Sequence, residues 1–123
     1  MSRFVIRRVR TGFKFDLKAP NGERILTSEV YTSAAVCRKG IGSVIRSAAA
    51  AGELDLTGED GEKVPNPRFE LYRDRSGRCR FRRRARNGAI IAVSESYANR
   101  SGCLSGIASV RKNAPEAEIV MEE

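Results

Sequence analysis

Residues 15–44 read FDLKAPNGERILTSEVYTSAAVCRKGIGSV, and residues 81–110 read FRRRARNGAIIAVSESYANRSGCLSGIASV. The two segments align without a gap at an offset of 66, and 13 of the 30 aligned positions are identical. A repeat of this kind is the first feature to interpret, because a missed repeat leads to the wrong fold. Two copies of this length are too few for a solenoid. The repeat therefore predicts a tandem duplication that builds one compact body over residues 1–123.

The composition indicates one globular domain that attracts anions. The chain has 123 residues, 41% of them hydrophobic, and a formal net charge of +8 with a pI near 10.0. A chain of this size buries roughly two-thirds of its unfolded surface, which is enough for a core. Its positive charge favours encounters with anionic partners such as nucleic acid or a membrane surface, although it says nothing about the fold.

The sequence contains no histidine and three cysteines. Without histidine there is no Ser-His-Asp or Cys-His catalysis, and the cysteine spacing fits neither a zinc knuckle nor a redox CxxC motif. We therefore expect no catalytic residue, no cofactor and no metal site. The N-terminus lacks an apolar signal region, and no apolar run approaches the ~18 residues of a membrane span. We expect a cytoplasmic protein with reduced thiols and no membrane contact.

Hydrophobic periodicity divides the first copy, residues 3–56, into strands and a helix. Apolar side chains alternate in three successive segments, and the period becomes helical after Tyr31. Asn21-Gly22 predicts a type I′ hairpin turn between the second and third strands, because both residues tolerate a positive φ. A short alternating segment follows the helix. The predicted strands are 4–10, 13–19, 24–28 and 53–56.

The second copy, residues 68–121, repeats this order after a linker over residues 57–67 that is rich in glycine, proline and acids. Its predicted turns are Ser76-Gly77 and Asn87-Gly88. The fold class is therefore α+β, with two tandem β-β-β-α-β repeats. The predicted strands are 68–74, 78–86, 89–94 and 118–121, and the predicted helix runs from 99 to about 113.

The ends of both helices carry recognisable signals. Thr32 or Ser33 is suited to cap the first helix, and Asn99 to cap the second, because their side chains accept a hydrogen bond from a free backbone N–H. Gly52 lies where a left-handed residue would end the first helix. Pro115 is expected to stop the second helix, since proline has no N–H.

Two Ser-Glu-x-Tyr motifs, at 28–31 and 94–97, join a strand to a helix. One interpretation makes the serine and glutamate a hydrogen-bonding pair at a ligand site. The interpretation we favour is structural: they satisfy backbone N–H groups at the helix start while the tyrosine packs there. The repeated mid-helix glycines, which cost about 1 kcal/mol relative to alanine, indicate close packing and not a phosphate-binding loop. The repeated residues predicted to be structural are Asn21, Gly22, Ser28, Glu29, Tyr31, Gly40, Asn87, Gly88, Ser94, Glu95, Tyr97 and Gly106.

Two further features concern single side chains. Cys37 and Cys103 lie within the apolar stripes of the helices, and we interpret them as small buried hydrophobic residues. Cys79, which alternates with arginines on its strand, is a further candidate for an inward position. Arg83 stands where the first copy has the inward-facing Leu17. Its long side chain is therefore expected to extend to the margin of the sheet or to pair with an acid.

The segment 78–86, RCRFRRRAR, is the most unusual stretch of the chain. Strand alternation places every second arginine on one face, next to an aromatic residue on the neighbouring strand. Guanidinium groups bind phosphates and stack on bases, so the face is a candidate surface for single-stranded nucleic acid. The alternative is a solvated strand face that resists aggregation. The candidate nucleic-acid-binding residues are Tyr72, Arg78, Arg80, Arg82, Arg84 and Arg86.

The second copy resembles the YegP-like family of small bacterial and archaeal proteins. The resemblance is close over 68–121 and looser over 3–56. It implies a unit duplicated about a pseudo-twofold axis, one shared and largely antiparallel sheet, two helices on one face, and exchange of the final strands between copies. It implies no catalytic residues. The matching residues are Phe69-Glu70-Leu71-Tyr72, Gly77, Phe81-Arg82, Asn87-Gly88, Ser94-Glu95, Tyr97, Cys103, Gly106-Ile107 and Ser109 to Pro115.

Two functions follow from these features. The first is a non-enzymatic binding or protein-interaction module. The alternative is an accessory protein that binds single-stranded nucleic acid weakly and with little regard to sequence. In either case, we expect a monomer formed from the two repeats, with a dimer possible, and a partner that is a protein or a nucleic acid.

Overall fold

The computed structural model describes residues 1–48, 51–56 and 64–122. Over these residues the order of elements is the predicted one in both copies; of the predicted linker, residues 57–63 lie outside the described part of the chain. The first copy contains β1 (Arg3–Val9), β2 (Gly12–Lys18), β3 (Arg24–Ser28), α1 (Ala34–Ser47) and β4 (Gly52–Asp55). The second contains β5 (Arg68–Arg73), β6 (Cys79–Arg84), β7 (Ile90–Ser94), α2 (Arg100–Asn113) and β8 (Glu118–Met121).

All eight of these strands form one sheet in the order β4-β5-β6-β7-β3-β2-β1-β8. β4 pairs in parallel with β5, and β8 pairs in parallel with β1, while the other neighbours are antiparallel. The last strand of each copy therefore completes the half of the sheet that the other copy builds. This confirms the shared, largely antiparallel sheet and the exchange of final strands.

The pseudo-twofold axis passes through the centre of the sheet. There β3 and β7 pair antiparallel, with Thr27 opposite Val93, and these two residues are equivalent at the repeat offset of 66. α1 packs mainly on β2 and α2 mainly on β6, both on the same face of the sheet. The core lies between the helices and this face, and its largest apolar members are Phe4, Ile6, Phe15, Leu17, Leu26, Ile41, Phe69, Leu71, Phe81 and Ile107.

The Asn-Gly hairpin turns do not have the predicted type I′ geometry. Gly22 has a φ of +87°, but Asn21 does not have a positive φ, and a type I′ turn requires both. The Gly22 N–H donates to the Ala19 carbonyl at 2.9 Å, so Pro20 and Asn21 are the central residues of the turn. Proline fixes φ near −65°, which suits the first of these positions and excludes type I′. In the second copy the Gly88 N–H donates to the Ala85 carbonyl at 2.9 Å and Gly88 has a φ of +86°, with Arg86 in place of proline, so the turn suits proline but does not require it.

Both helices begin where predicted. The Ser33 side chain caps α1 by accepting from the Val36 N–H at 3.2 Å. The Asn99 side chain caps α2 by accepting from the Gly102 N–H at 2.9 Å. α2 ends two residues before Pro115, which lies in a single 3₁₀ turn leading to β8.

Gly52 does not end α1, which corrects the prediction. The residue after α1, Ala48, is right-handed, and Gly52 is already the first residue of β4. The Arg111 guanidinium of α2 donates to the carbonyls of Ala48 and Ala51, each at 2.6 Å. A side chain from the other copy thus satisfies the carbonyl of the residue that ends α1 and a second carbonyl just beyond it, in place of a left-handed glycine.

The two mid-helix glycines lie against tyrosine rings. A Cβ at Gly106 would lie 2.5 Å from the Tyr97 hydroxyl oxygen and 2.7 Å from a ring carbon of Phe81. A Cβ at Gly40 would lie 2.5 Å from the Tyr31 hydroxyl oxygen. The Tyr97 and Phe81 rings stack with centroids 6.3 Å apart. Burial raises the pKa of Tyr31 to about 12, so this hydroxyl stays neutral at physiological pH.

The substitution Gly106→Leu is expected to destabilise the protein by roughly 1–3 kcal/mol through overpacking, although leucine is the better helix former. The matched control is Ala108→Leu, because Ala108 is exposed on the same helix. Urea denaturation followed by circular dichroism measures both variants. A Gly106→Leu protein as stable as the wild type would show that the tyrosine moves aside at no cost.

Candidate nucleic-acid interface

The sheet face opposite the two helices, which we call the open face, holds a surplus of positive charge. Strand register places nine cationic and three acidic side chains of the described strands on this face. The cationic residues are Arg3, Arg7, Lys14, Lys18, Arg24, Arg68, Arg80, Arg82 and Arg84, and the acidic ones are Asp16, Glu70 and Glu118.

The arginine-rich segment forms β6, in which every second residue is buried on the helix side. Arg80, Arg82 and Arg84 alternate with these residues and are half-buried on the open face. The other two arginines predicted for this face lie outside the strand. Arg78 precedes β6, and Arg86 follows it in the hairpin turn, where it lines a cleft beside α1. Strand alternation does not extend beyond the strand, so only three of the five arginines form the predicted row.

A buried carboxylate lies at the centre of this row. Glu70 is 1% exposed, and its Oε1 accepts from the Nε atoms of Arg82 at 2.7 Å and Arg84 at 2.8 Å. Its Oε2 accepts from Arg68 Nε at 2.8 Å. Burial alone raises the pKa of this carboxyl, but the hydrogen bonds from the three arginines outweigh it and lower the pKa to about 2. Glu70 is therefore ionised at neutral pH, and the formal charges of the cluster, three arginines and one carboxylate, sum to +2.

Sequence reasoning missed the role of Glu70. The residue alternates with Arg68 and Tyr72 on β5, which is a signal that it shares their face. What the sequence does not contain is the register between strands. That register sets Glu70 directly opposite Arg82.

The predicted aromatic neighbour is present. Tyr72 lies opposite Arg80 in the register of β5 and β6, and the Arg82 guanidinium carbon is 4.4 Å from the Tyr72 ring centroid. Arg80 donates from Nε to the Asp74 carboxylate at 3.0 Å and from Nη1 to the Ser94 carbonyl at 3.2 Å. The arginine planes are thus held in place, and Arg82 covers the tyrosine ring.

In the first copy, an acidic side chain stands where the second copy has an arginine at the centre of the row. Asp16, which corresponds to Arg82, is 4% exposed and accepts from Arg7 Nε at 2.9 Å. Arg24 approaches its other carboxylate oxygen to 3.7 Å. Each half of the open face therefore has one buried carboxylate surrounded by cations, but the acid comes from β2 in one half and from β5 in the other.

Arg83 is fully buried on the helix side, so the prediction that it reaches the margin of the sheet is wrong. Its guanidinium carbon lies 5.1 Å from the Phe69 ring centroid, and its Nη1 donates to the Arg84 carbonyl at 2.6 Å. Burial, with the nearby Arg111 charge, lowers the pKa of Arg83 to about 10. The residue opposite Arg83 is Ala92, whereas the first copy pairs two leucines at the equivalent positions. The small alanine leaves room for the longer arginine side chain.

The Ser-Glu-x-Tyr serines do not serve the helix N-termini. Ser94 Oγ accepts from the Phe81 N–H at 2.9 Å and donates to the Glu95 carbonyl at 2.7 Å, and Ser28 makes the equivalent two bonds. The serines therefore bridge neighbouring strands, whereas Ser33 and Asn99 cap the helices. The glutamate side chains of both motifs are exposed, and Glu95 pairs with Arg24 at 3.0 Å.

The cysteines are buried as predicted, and all three thiols are free. Burial raises the pKa of Cys37 and Cys103 to about 11, which leaves little thiolate at neutral pH. Among the described residues, no group of three or more His, Cys, Asp and Glu is placed to hold a metal ion. None of the helices in the described part of the chain is long and apolar enough to span a bilayer.

Comparison with known proteins shows similarity in both copies. A family model described as Domain of unknown function (DUF1508) matches residues 10–55 and 74–120. The UPF0339 protein YegP of Escherichia coli O157:H7 is 42% identical over 101 residues, which cover 82% of this chain and 78% of that protein. A UPF0339 protein of Treponema denticola is 58% identical over 53 residues, which are 43% of this chain but 91% of the relative.

The fold is also similar to a solved structure. The solution NMR structure of the protein of unknown function yegP from E. coli superposes with a TM-score of 0.80 at 32% sequence identity. The superposition covers 98% of this chain and 92% of that one. With a family match in each repeat, a relative aligned over most of its length and a shared fold, the chain belongs to the DUF1508 family, whose relatives include the UPF0339 protein YegP.

Proposed function

We propose that the protein is a non-catalytic binding module and that its open face binds single-stranded nucleic acid through phosphate contacts. The observation that carries the proposal is the charge surplus on this face, with nine cationic side chains against three acidic ones in the described strands. A surface of this kind gains affinity by releasing counterions from the phosphate backbone.

The buried carboxylates do not cancel this surplus. A guanidinium has five N–H donors in a fixed plane, and Arg82 uses its Nε for Glu70. The hydrogen bonds hold the arginine planes of β6 in place before any ligand arrives, so less side-chain entropy is lost on binding. Glu70 and Asp16 therefore act as supports for the cations around them.

The dimensions suit a short stretch of single strand. Eight strands at a spacing of about 4.8 Å make a sheet roughly 34 Å wide. Known single-strand-binding modules contact about 4–16 nucleotides. Since Arg82 covers the Tyr72 ring, we expect bases to stack on the exposed side of the guanidinium plane, as arginine allows.

Fluorescence anisotropy with labelled dT₁₅ tests the proposal. We expect binding at 50 mM salt that is no tighter than about micromolar and that weakens by roughly 10- to 50-fold at 200 mM salt. The double variant Lys14→Gln with Arg80→Gln removes two cations from the open face without touching the Glu70 cluster, and it is expected to weaken binding severalfold. Arg82 is left unchanged because its loss would destabilise the fold.

The matched control is Arg38→Gln with Lys39→Gln, which removes the same charge from exposed positions of α1. If both double variants bind alike, the open face is not the binding surface. If the wild type does not bind at 50 mM salt, the nucleic-acid function is wrong.

A protein ligand is the second candidate, and the edge strand β8 favours it, because one of its sides pairs with no strand in the described part of the chain. Ile119 is 36% and Met121 44% exposed on this edge strand, and an unpaired strand edge accepts an added strand. Affinity capture from native cells, with and without nuclease, separates the two functions. Partners lost on nuclease treatment indicate nucleic acid, whereas partners retained and then lost on Ile119→Lys indicate the β8 edge.

A further inference from the structure

A cleft of about 410 Å³ lies at the end of the sheet where the β6–β7 turn meets the last turns of α1 and the residues preceding β5. We call it the Arg46/Arg86 cleft, and its lining residues are Ser43, Arg46, Asn66, Pro67 and Arg86. We propose that it binds the phosphate monoester of a nucleotide, as a site separate from the open face.

The charges of the lining favour an anion. Arg46 and Arg86 are exposed, and neither forms an ion pair with any described residue. This distinguishes them from the arginines of β6, which are held by Glu70 and Asp74. The carbonyl end of α1 would oppose an anion, but the Arg111 guanidinium donates to the Ala48 carbonyl there, and its positive charge offsets part of this effect.

The repeat provides an internal comparison. The pseudo-twofold axis relates this cleft to a smaller one of about 270 Å³, lined by Met1, Ser2 and Pro20 of the first copy and by Asn113 and Glu116 of the second. At the repeat offset, Arg86 corresponds to Pro20. One cleft therefore carries an additional guanidinium, while the other carries a carboxylate in its lining. The two clefts have therefore diverged in charge. Arg46 corresponds to another cation, Lys112. Arg86, however, corresponds to Pro20, and its guanidinium is a strong ligand for phosphate.

A second observation indicates more than inorganic phosphate. The Asn66 Oδ1 atom is buried and has no hydrogen-bond partner among the described residues. Because Asn66 lines the cleft, a rotation of its side chain would bring this acceptor to a bound ligand. A dianionic phosphate has no donor for it, whereas the hydroxyl and amino groups of a nucleoside do. The cleft volume also falls within the range of about 300–1,000 Å³ found for small-molecule sites. A nucleoside monophosphate supplies both the anion and the donor.

The test is a titration of the ¹⁵N-labelled full-length protein at constant ionic strength, followed by NMR. We expect AMP to bind saturably and to shift the amides of Arg46, Asn66 and Arg86. We expect adenosine, which lacks the phosphate, to bind at least about tenfold more weakly, since charge-assisted bonds are the strongest available here. The variant Arg46→Gln with Arg86→Gln should weaken AMP by a similar factor, and Arg38→Gln with Lys39→Gln should not.

Two oligonucleotides distinguish the sources of the monoester. If 5′-phosphorylated dT₅ shifts the cleft amides and 5′-hydroxyl dT₅ does not, the site takes the end of a strand; if only AMP does, it takes a free nucleotide. The proposal is overturned if AMP and adenosine bind equally, if inorganic phosphate binds as tightly as AMP, or if the Arg46→Gln, Arg86→Gln protein behaves like the control. These outcomes do not depend on dT₁₅ binding at the open face.

Discussion

The substitution Glu70→Gln is expected to destabilise the protein by roughly 2–4 kcal/mol at pH 7. It keeps the shape of the side chain but leaves Arg68, Arg82 and Arg84 around a neutral amide. Removing one partner from a buried charge cluster costs about 3–5 kcal/mol, and the partial exposure of these arginines reduces the effect. Urea denaturation measures the change in the free energy of unfolding.

The same carboxyl predicts how stability depends on pH. The pKa of Glu70 is about 2 in the folded protein and 4.5 as the ordinary value, so the unfolded chain binds its proton first as the pH falls. The stabilisation is therefore complete above about pH 4.5 and is lost between pH 4.5 and pH 2. At about 1.4 kcal/mol per pKa unit, Glu70 contributes on the order of 3 kcal/mol to the acid sensitivity.

The matched control is Glu95→Gln, because Glu95 forms an exposed pair with Arg24 and such pairs contribute little. The wild type and Glu95→Gln should lose stability in parallel between pH 4.5 and pH 2, and Glu70→Gln should lose less. Glu70→Gln as stable as the wild type at pH 7, with the same acid sensitivity, would show that the arginine cluster does not depend on this charge.

The second copy alone, residues 67–123, is expected to form a homodimer that rebuilds the whole sheet. In the full chain β8 completes the sheet beside β1, and β4 does so beside β5, so in the dimer each β8 would pair with β5 of the other subunit. A unit of this size has a marginal core and needs the partner's strand. The Treponema denticola relative aligns over 91% of its own length but over only 43% of this chain. A protein about as long as one repeat therefore exists.

Sedimentation equilibrium of the fragment measures its state of association, and deletion of residues 116–123 should weaken both dimerisation and folding. Val93→Asp is a sharper test. In the full chain Val93 lies opposite Thr27 and next to Arg82, where a carboxylate is tolerated. In the dimer, position 93 of one subunit would lie opposite position 93 of the other. Two like charges directly across a strand pair repel, so we expect Val93→Asp to weaken dimerisation of the fragment but not folding of the full chain. A stable, folded monomer at micromolar concentration would show that each copy is self-sufficient.

Most of the fold was predictable because its elements depend on local sequence patterns. The repeat, the alternation in the strands, the helical period after Tyr31 and the caps Ser33 and Asn99 depend on neighbouring residues in the chain. The same local reasoning was wrong at Asn21-Gly22, where only the glycine has a positive φ, and at Gly52, since the side chain of Arg111 satisfies the carbonyl of Ala48 at the end of α1. The exchange of strands came from the family resemblance and not from the residues.

The candidate site was only half predictable. The sequence alone determines that alternate arginines of β6 share a face, since a strand has a period of two. It also determines the duplication and the absence of histidine chemistry. Tertiary structure decided which of these side chains lie together. The strand register sets Glu70 opposite Arg82, and the small Ala92 leaves room for Arg83 to be buried. Arg46 of α1 and Arg86 of the β6–β7 turn line the same cleft. These contacts join residues distant in the chain, and no local periodicity encodes the register and packing that bring them together.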